Sequence, residues 1–297
     1  MFLVMKNSLK KLLISNYTIN SYYGGFGNNL QQLALGSMYA ELYNNNFYSK
    51  EHKLVNTFSI INNNVSNFFA KYRFDSRFYN FENISEKFTN SPITDTPLKN
   101  KDAKYYNENF YKIFQKIIEP NLNFKKDIEI DDQTLVMHIR SGDIFEKSED
   151  NSILGHDYYL QNPLIYFQNL IEKYDRTILV AAKPFNNPVI EILSKDKRVT
   201  LKSSTIAEDF NILLNAKNLA TSGVGTFSIA AALASKNLKN LYYSNLFFFH
   251  HLNPIMVKKV IHHKYSFKNY FKIGDEWKGT KDQVNRMLST NIEIIKD

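Results

Sequence analysis

From Thr134 onward the chain alternates short apolar runs with stretches of helical periodicity. Thr134-Leu-Val-Met-His-Ile139 is almost wholly apolar, as in a central parallel strand covered on both faces. Tyr158 to Tyr174 reads as a helix, and Thr177 to Ala182 as a second strand. Asn187-Pro188 opens a helix reaching Ser194, with proline in the first turn. Arg198 to Leu201 is a third strand, Glu208 to Asn215 a helix, Asn218 to Thr221 a fourth strand, Phe227 to Ser235 a helix, and Asn240 to Tyr243 a fifth strand. Strands alternating with helices predict a doubly wound parallel sheet. The last fifty residues are basic and aromatic, carry Trp277, and are expected to be helical.

The first half is less regular. Tyr17 to Tyr23 reads as a strand, and Gly24-Gly25-Phe26-Gly27-Asn28-Asn29 as a glycine turn. A helix follows, with Leu30, Leu33, Ala34, Ser37, Met38 and Leu42 at helical spacing. Strand, turn and helix form the first half of a βαβ unit. Ser49 to Lys104 shows no clear period. Asn107 to Ile118 carries one apolar stripe, and Pro120 stops it. Asn121 to Asp132 is polar and charged, a domain boundary. The predicted class is α/β with two Rossmann-like domains, residues 1–130 and 131–297, facing a central cleft.

Composition narrows the chemistry. Hydrophobic residues make up 43% of 297, enough for a sizeable core. There is no cysteine, which excludes disulfides and thiolate metal sites. The net charge of +8 favours anionic partners such as a nucleotide diphosphate. No helix-turn-helix, zinc-finger or RNP-type pattern points to nucleic acid. The apolar pieces near Met1 are too short for a signal peptide, and no window reaches the roughly twenty apolar residues of a membrane span. A cytoplasmic protein is expected, with peripheral contact at the inner membrane face compatible with its basic tail.

Three motifs carry candidate chemistry. In Gly24 to Asn29, glycines permit positive φ and close backbone approach, and the helix after them offers free N–H groups. A plain tight turn is the alternative. In His138-Ile139-Arg140-Ser141-Gly142-Asp143, strand alternation sends His138 and Arg140 to one face. A buried arginine needs an anionic partner, and its planar fork suits phosphate oxygens. The alternative is a structural Arg140–Asp143 pair beside a core histidine. In Thr221-Ser222-Gly223-Val224-Gly225-Thr226-Phe227-Ser228, hydroxyls precede the N-terminus of an alanine-rich helix, an anion site. Ordinary capping by Thr226 or Ser228 is the alternative.

In that order, the motifs resemble those of the GDP-fucose-dependent α1,2- and α1,6-fucosyltransferases and the protein O-fucosyltransferases. The similarity rests on Gly25-Phe26-Gly27-Asn28-Asn29-Leu30-Gln31-Gln32-Leu33, on His138 to Asp143, and on Thr226-Phe227-Ser228-Ile229-Ala230-Ala231, with Ala181 to Pro188 and Glu208 to Leu214 between them. It covers most of residues 20–240.

The resemblance implies a GT-B fold and an inverting transfer without metal or other cofactor, the nucleotide sugar being a co-substrate. Arg140 would bind the donor β-phosphate and stabilise the departing diphosphate. His138, Ser222, Gly223, Thr226, Phe227 and Ser228 would complete the donor site. Gly25, Phe26, Gly27 and Asn28 would face the transferring sugar, with Asn28 near the acceptor or leaving oxygen. The implied acceptor is a saccharide hydroxyl on an oligosaccharide or glycolipid. Ser141 stands where many relatives carry a second arginine, Ile229-Ala230 where a tryptophan pair is common, and Lys183 where a carboxylate is frequent.

Inversion calls for a base on the acceptor hydroxyl, or for a leaving group good enough to make a base minor. Asp143, Glu146 and Glu149 are the candidates, with a solvated acidic loop as the alternative for residues 146–150. Asp127, Glu129, Asp131 and Asp132 precede a strand and read as a solvated linker, not as metal ligands. His250-His251 and His262-His263 lack a ligand pattern such as H-E-x-x-H.

Overall fold

The computed structural model describes residues 16–19, 21–22, 24–43, 46–62, 71–73, 103–145, 159–248 and 251–297. The chain divides into two compact units, residues 1–124 with 249–251, and residues 125–248 with 252–297.

The N-terminal unit holds a four-stranded sheet of order β3-β2-β1-β4, formed by β1 (Asn16–Thr18), β2 (Asn46–Tyr48), β3 (Ser59–Ile60) and β4 (Lys71–Arg73). β1 lies parallel to both β2 and β4, while β3 runs antiparallel to β2. The crossover from β1 to β2 is helix α1 (Phe26–Tyr43). Leu30, Leu33, Ala34, Leu35, Met38 and Ala40 are all buried, so α1 is covered on more than one side, as expected of a central helix. Its close seat on the sheet depends on Gly36, where a side-chain methyl would overlap the fully buried ring of Phe47 on β2. Helix α2 (Ala103–Ile113) continues into a π-helical turn, Phe114–Ile118, and a 3₁₀ turn, Glu119–Asn121, in which Pro120 takes part.

The C-terminal unit holds seven strands in the order β11-β10-β9-β8-β5-β6-β7. They are β5 (Thr134–His138), β6 (Arg176–Val180), β7 (Val199–Lys202), β8 (Asn218–Ala220), β9 (Asn240–Ser244), β10 (Ile261–Lys268) and β11 (Glu293–Lys296). All neighbours are parallel except β10 and β11. β5 is an interior strand between β8 and β6, buried from Thr134 to Met137.

Four helices cross between successive parallel strands: α3 (Leu164–Ile171), α4 (Pro188–Leu193), α5 (Ile206–Leu214) and α6 (Phe227–Ala234). Local chemistry starts two of them. The Asn187 side chain caps α4 by accepting from Val189 N–H, and Thr205 with Glu208 forms a reciprocal capping box on α5. Strand order runs outward from β5 in both directions. Right-handed crossovers therefore send α3 and α4 to one face and α5 and α6 to the other. The packing agrees: α5 lies on α6, whereas α3 and α4 lie on each other and on α7 (Lys281–Leu288).

The tail departs from the helical expectation. Residues 261–268 are an eight-residue strand, β11 closes the sheet edge, and α7 is the one α-helix beyond Leu252 among the described residues. The basic residues there alternate with apolar ones that enter the core: Tyr265 and Phe267 are buried, as is Trp277. No helix among the described residues is long and apolar enough to cross a membrane.

Candidate functional site

The order β7-β6-β5-β8-β9 reverses direction between β5 and β8. In such sheets the loops leaving the two strands part in opposite directions, and a crevice opens at their carboxyl ends. The second and third motifs occupy those ends. Met137 pairs with Ala220 in the β5–β8 register, so His138 to Gly142 and Thr221 to Thr226 emerge side by side.

Side chains join them directly. The His138 ring lies 5.3 Å, centroid to centroid, from the ring of Phe227, the first residue of α6. The Phe210 ring of α5 lies edge-on to Phe227, 5.4 Å away. Burial, with the Arg140 cation nearby, pushes the His138 pKa down to about 3, so the imidazole is neutral at physiological pH. Its Nδ1 is buried without a hydrogen-bond partner. The same holds for Oγ of Ser222. Buried polar atoms ordinarily have partners, and an unsatisfied one costs about 1–3 kcal/mol.

Arg140 is half-exposed, and its guanidinium carbon lies 3.8 Å from the centroid of the Tyr159 ring. Gly142 has φ +77° and Gly223 φ +100°, the left-handed half of backbone space that glycine enters freely. At Gly223 space is short as well: a Cβ would stand 2.8 Å from the carbonyl oxygen of Leu160. The segment Leu160–Asn162 holds this turn. Leu160 O accepts Val224 N–H at 3.1 Å, and Asn162 N–H donates to Ser222 O at 3.3 Å. Asn162 Nδ2 donates to Thr221 O at 2.9 Å, and the buried Ser244 hydroxyl donates to Asn162 Oδ1 at 2.6 Å.

Capping does not account for the third motif. Thr226 stands at the N-cap of α6 with helical backbone angles, and its side chain makes no capping bond. Ser228 is buried inside the helix, whereas Gly225, Thr226 and Phe227 are half-exposed.

Ser141 has a different task from a phosphate ligand. It is buried, with its hydroxyl 2.7 Å from Pro184 O and 2.9 Å from Asn186 Oδ1, and it accepts Asn187 N–H at 3.2 Å. Asn186 also accepts Gly142 N–H at 2.7 Å and donates to Gly142 O at 3.1 Å. Asn187 Nδ2 donates to Arg140 O at 2.8 Å. The loop after β6 thereby pins the loop that carries Arg140. Sequence reasoning marked Asn187 only as a helix start and missed Asn186, Asn162 and Tyr159. The Asn-Asn-Pro run after a strand was the one visible signal.

The remaining candidates belong to the N-terminal unit. Phe26 to Asn29 are the first turn of α1, not a loop before it, and Gly25 O accepts both Asn28 and Asn29 N–H. Gly24 provides the positive φ, +66°. Phe26 is a core residue stacked on His52 and edge-on to Phe124, and Gly27 is buried. Asn28 is half-exposed, while Asn29 is buried near His52 Nε2. Burial lowers the His52 pKa.

Asp143 opens a 3₁₀ turn, Asp143–Phe145, of which the backbone is described; Glu146 and Glu149 lie outside the described residues. Asp131 pairs with Arg176, and Asp132 with Lys239 at 2.7 Å, at the amino ends of the strands, while Asp127 and Glu129 are exposed. His262 lies 3.0 Å from Val257 O, and His263 stacks on Tyr242. Among the described residues no group of three or more His, Asp or Glu side chains could hold a metal ion.

Comparison of the chain with protein-family models, with curated proteins and with solved structures finds no match.

Proposed function

We propose that this chain is an inverting glycosyltransferase of GT-B architecture, related to the GDP-fucose-dependent fucosyltransferases. In this reading the C-terminal unit holds the diphosphate of a nucleotide sugar at the β5–β8 switch point. The sugar passes to a saccharide hydroxyl of a surface polysaccharide or glycolipid.

One observation carries the reading: a cation and two unsatisfied buried polar atoms lie at the carboxyl ends of the adjacent strands β5 and β8, where the sheet reverses order. Arg140 follows β5, His138 Nδ1 and Ser222 Oγ lack partners, and α6 begins beside them. A diphosphate is the ligand whose chemistry uses all of these. Its oxygens accept from the guanidinium fork, from the Ser222 hydroxyl and from the backbone N–H groups opening α6. Neutral His138 has one ring N–H to donate and adds no charge.

The reaction then follows from charge. As the glycosidic bond to the donor breaks, negative charge grows on the departing diphosphate, and Arg140 stabilises it. The acceptor hydroxyl attacks from the opposite face and inverts the anomeric carbon. Its proton goes to a carboxylate or to solvent; Asp143 and Glu146 are the carboxylates nearest Arg140 in sequence. Gly27 and Asn28 are assigned to the sugar by the resemblance alone.

A panel of GDP, UDP and CMP sugars with nucleotide release as the readout tests this proposal. GDP-fucose turnover is expected, and Arg140→Ala should lower it roughly 100-fold or more with the fold intact. Normal turnover in that variant would overturn the mechanism. A different nucleotide-activated donor on the same site is the second reading. It is favoured by Ser141, which is buried in a structural clamp and supplies no second cation.

A further inference from the structure

Arginine is a long side chain with many rotamers, and a guanidinium grips a diphosphate well only when its fork is held in the plane of the phosphate oxygens. The fold supplies a support for it. The guanidinium carbon of Arg140 sits 3.8 Å from the centroid of the Tyr159 ring, within the range of a direct cation–π contact. Tyr159 is itself held through its chain neighbours. Leu160 and Asn162 are bonded to Ser222 and Val224 in the turn after β8, and the Tyr270 hydroxyl donates to Gln161 O at 2.7 Å. Ser244 locks the Asn162 side chain from β9. The ring under Arg140 is thus carried by the segment that shapes the hydroxyl-bearing turn.

We infer that Tyr159 is a positioning residue. Its ring backs one face of the Arg140 guanidinium and ties Arg140 to the Ser222–Gly223 turn so that both address one diphosphate. This inference rests on the proposed donor site and names the residue that pre-organises it. A stacked guanidinium loses less freedom when it binds, so the contact favours diphosphate affinity even though Tyr159 need not touch the ligand. The requirement is for the π face and not for the phenolic hydroxyl.

The experiment is a double-mutant cycle on nucleotide binding by calorimetry, using whichever of GDP, UDP and CDP binds the native full-length chain most tightly, with the matching nucleoside as control. Tyr159→Phe should bind within about twofold of the native protein. Tyr159→Leu, which keeps apolar bulk without a π face, should bind the diphosphate about tenfold more weakly, a cation–π contribution of ~1.4 kcal/mol. Affinity for the nucleoside should be unchanged in both. In an Arg140→Ala background, Tyr159→Leu should have less than a twofold further effect. A purely structural role would instead weaken binding equally in both backgrounds and lower nucleoside affinity too. The inference is overturned if Arg140→Ala weakens diphosphate binding while Tyr159→Leu does not, or if the two effects add. If Arg140→Ala itself leaves binding unchanged, the donor-site reading has failed, and the inference fails with it. Should Tyr159→Leu unfold, Tyr159→Met carries the same test.

Discussion

The rings of His138 and Phe227 meet 5.3 Å apart, joining the end of β5 to the start of α6 across the point where the sheet reverses order. The two residues come from motifs far apart in the chain. Their contact holds a neutral imidazole beside a cation, which has a consequence for acid stability. His138 is pushed down to about 3 from the usual 6.5, so in acid the unfolded chain takes up the proton first. The stability contributed by neutral His138 is complete above pH 6.5 and is lost as pH falls from 6.5 toward 3. Between pH 7 and pH 5 the native protein should lose up to about 2 kcal/mol that His138→Phe does not lose. Urea unfolding of both proteins at the two pH values checks this. The lowered histidines His52, His262 and His263 are common to both and cancel. Equal losses would show that His138 titrates normally.

Gly223 combines a positive φ with a carbonyl 2.8 Å from where a Cβ would stand. Gly223→Ala therefore meets backbone strain of about 1–3 kcal/mol and an overlap that moves either the turn or Leu160. Lower thermal stability and weakened diphosphate binding are expected together, because Ser222 and Val224 flank the same turn. Unchanged binding would separate the turn from the site.

The Ser141 clamp predicts that the second arginine found at this place in many of the fucosyltransferases the motifs resemble cannot be introduced by one substitution. Ser141→Arg would place a charged chain where a buried hydroxyl serves Pro184, Asn186 and Asn187. Stability should fall, and calorimetry should show no gain in diphosphate affinity. Asn187→Ala removes the cap of α4 and the donor to Arg140 O, so a loss of about 1–3 kcal/mol is expected in denaturant unfolding. A tighter-binding Ser141→Arg protein would refute the clamp.

In the N-terminal unit, Gly36→Ala sets helix propensity against packing. Alanine favours a helix by about 1 kcal/mol over glycine, but its methyl overlaps the buried Phe47 ring, and overpacking of this kind costs typically about 1–3 kcal/mol. Net destabilisation is expected from thermal melts, and Phe47→Leu in the same chain should relieve part of it.

Much of the C-terminal sheet was legible because its signals are local. Apolar runs such as Leu135 to Met137 mark buried strands, Asn187-Pro188 and the Thr205–Glu208 pair start helices, and Gly142 and Gly223 sit where the chain must turn with positive φ. The tail was misjudged for the opposite reason. Ile261–Lys268 carries a basic, aromatic pattern that becomes a strand only because β9 on one side and β11 on the other offer it hydrogen bonds. The first-turn position of Phe26 was likewise hidden, since a ring packed between His52 and Phe124 reads in sequence like any loop aromatic.

The sequence by itself determined the order of strands and helices from β5 to β9, the glycine turns and the three chemical motifs, all of which depend on residues a few positions apart. The tertiary structure alone decided which ends adjoin. Only the β5–β8 pairing sets the segment carrying Arg140 alongside the segment carrying Ser222, only the folded loops set Tyr159 under the guanidinium, and only the Asn186–Asn187 clamp turns Ser141 inward. Those contacts join residues distant in the chain, and no local periodicity encodes which distant partner a side chain will meet.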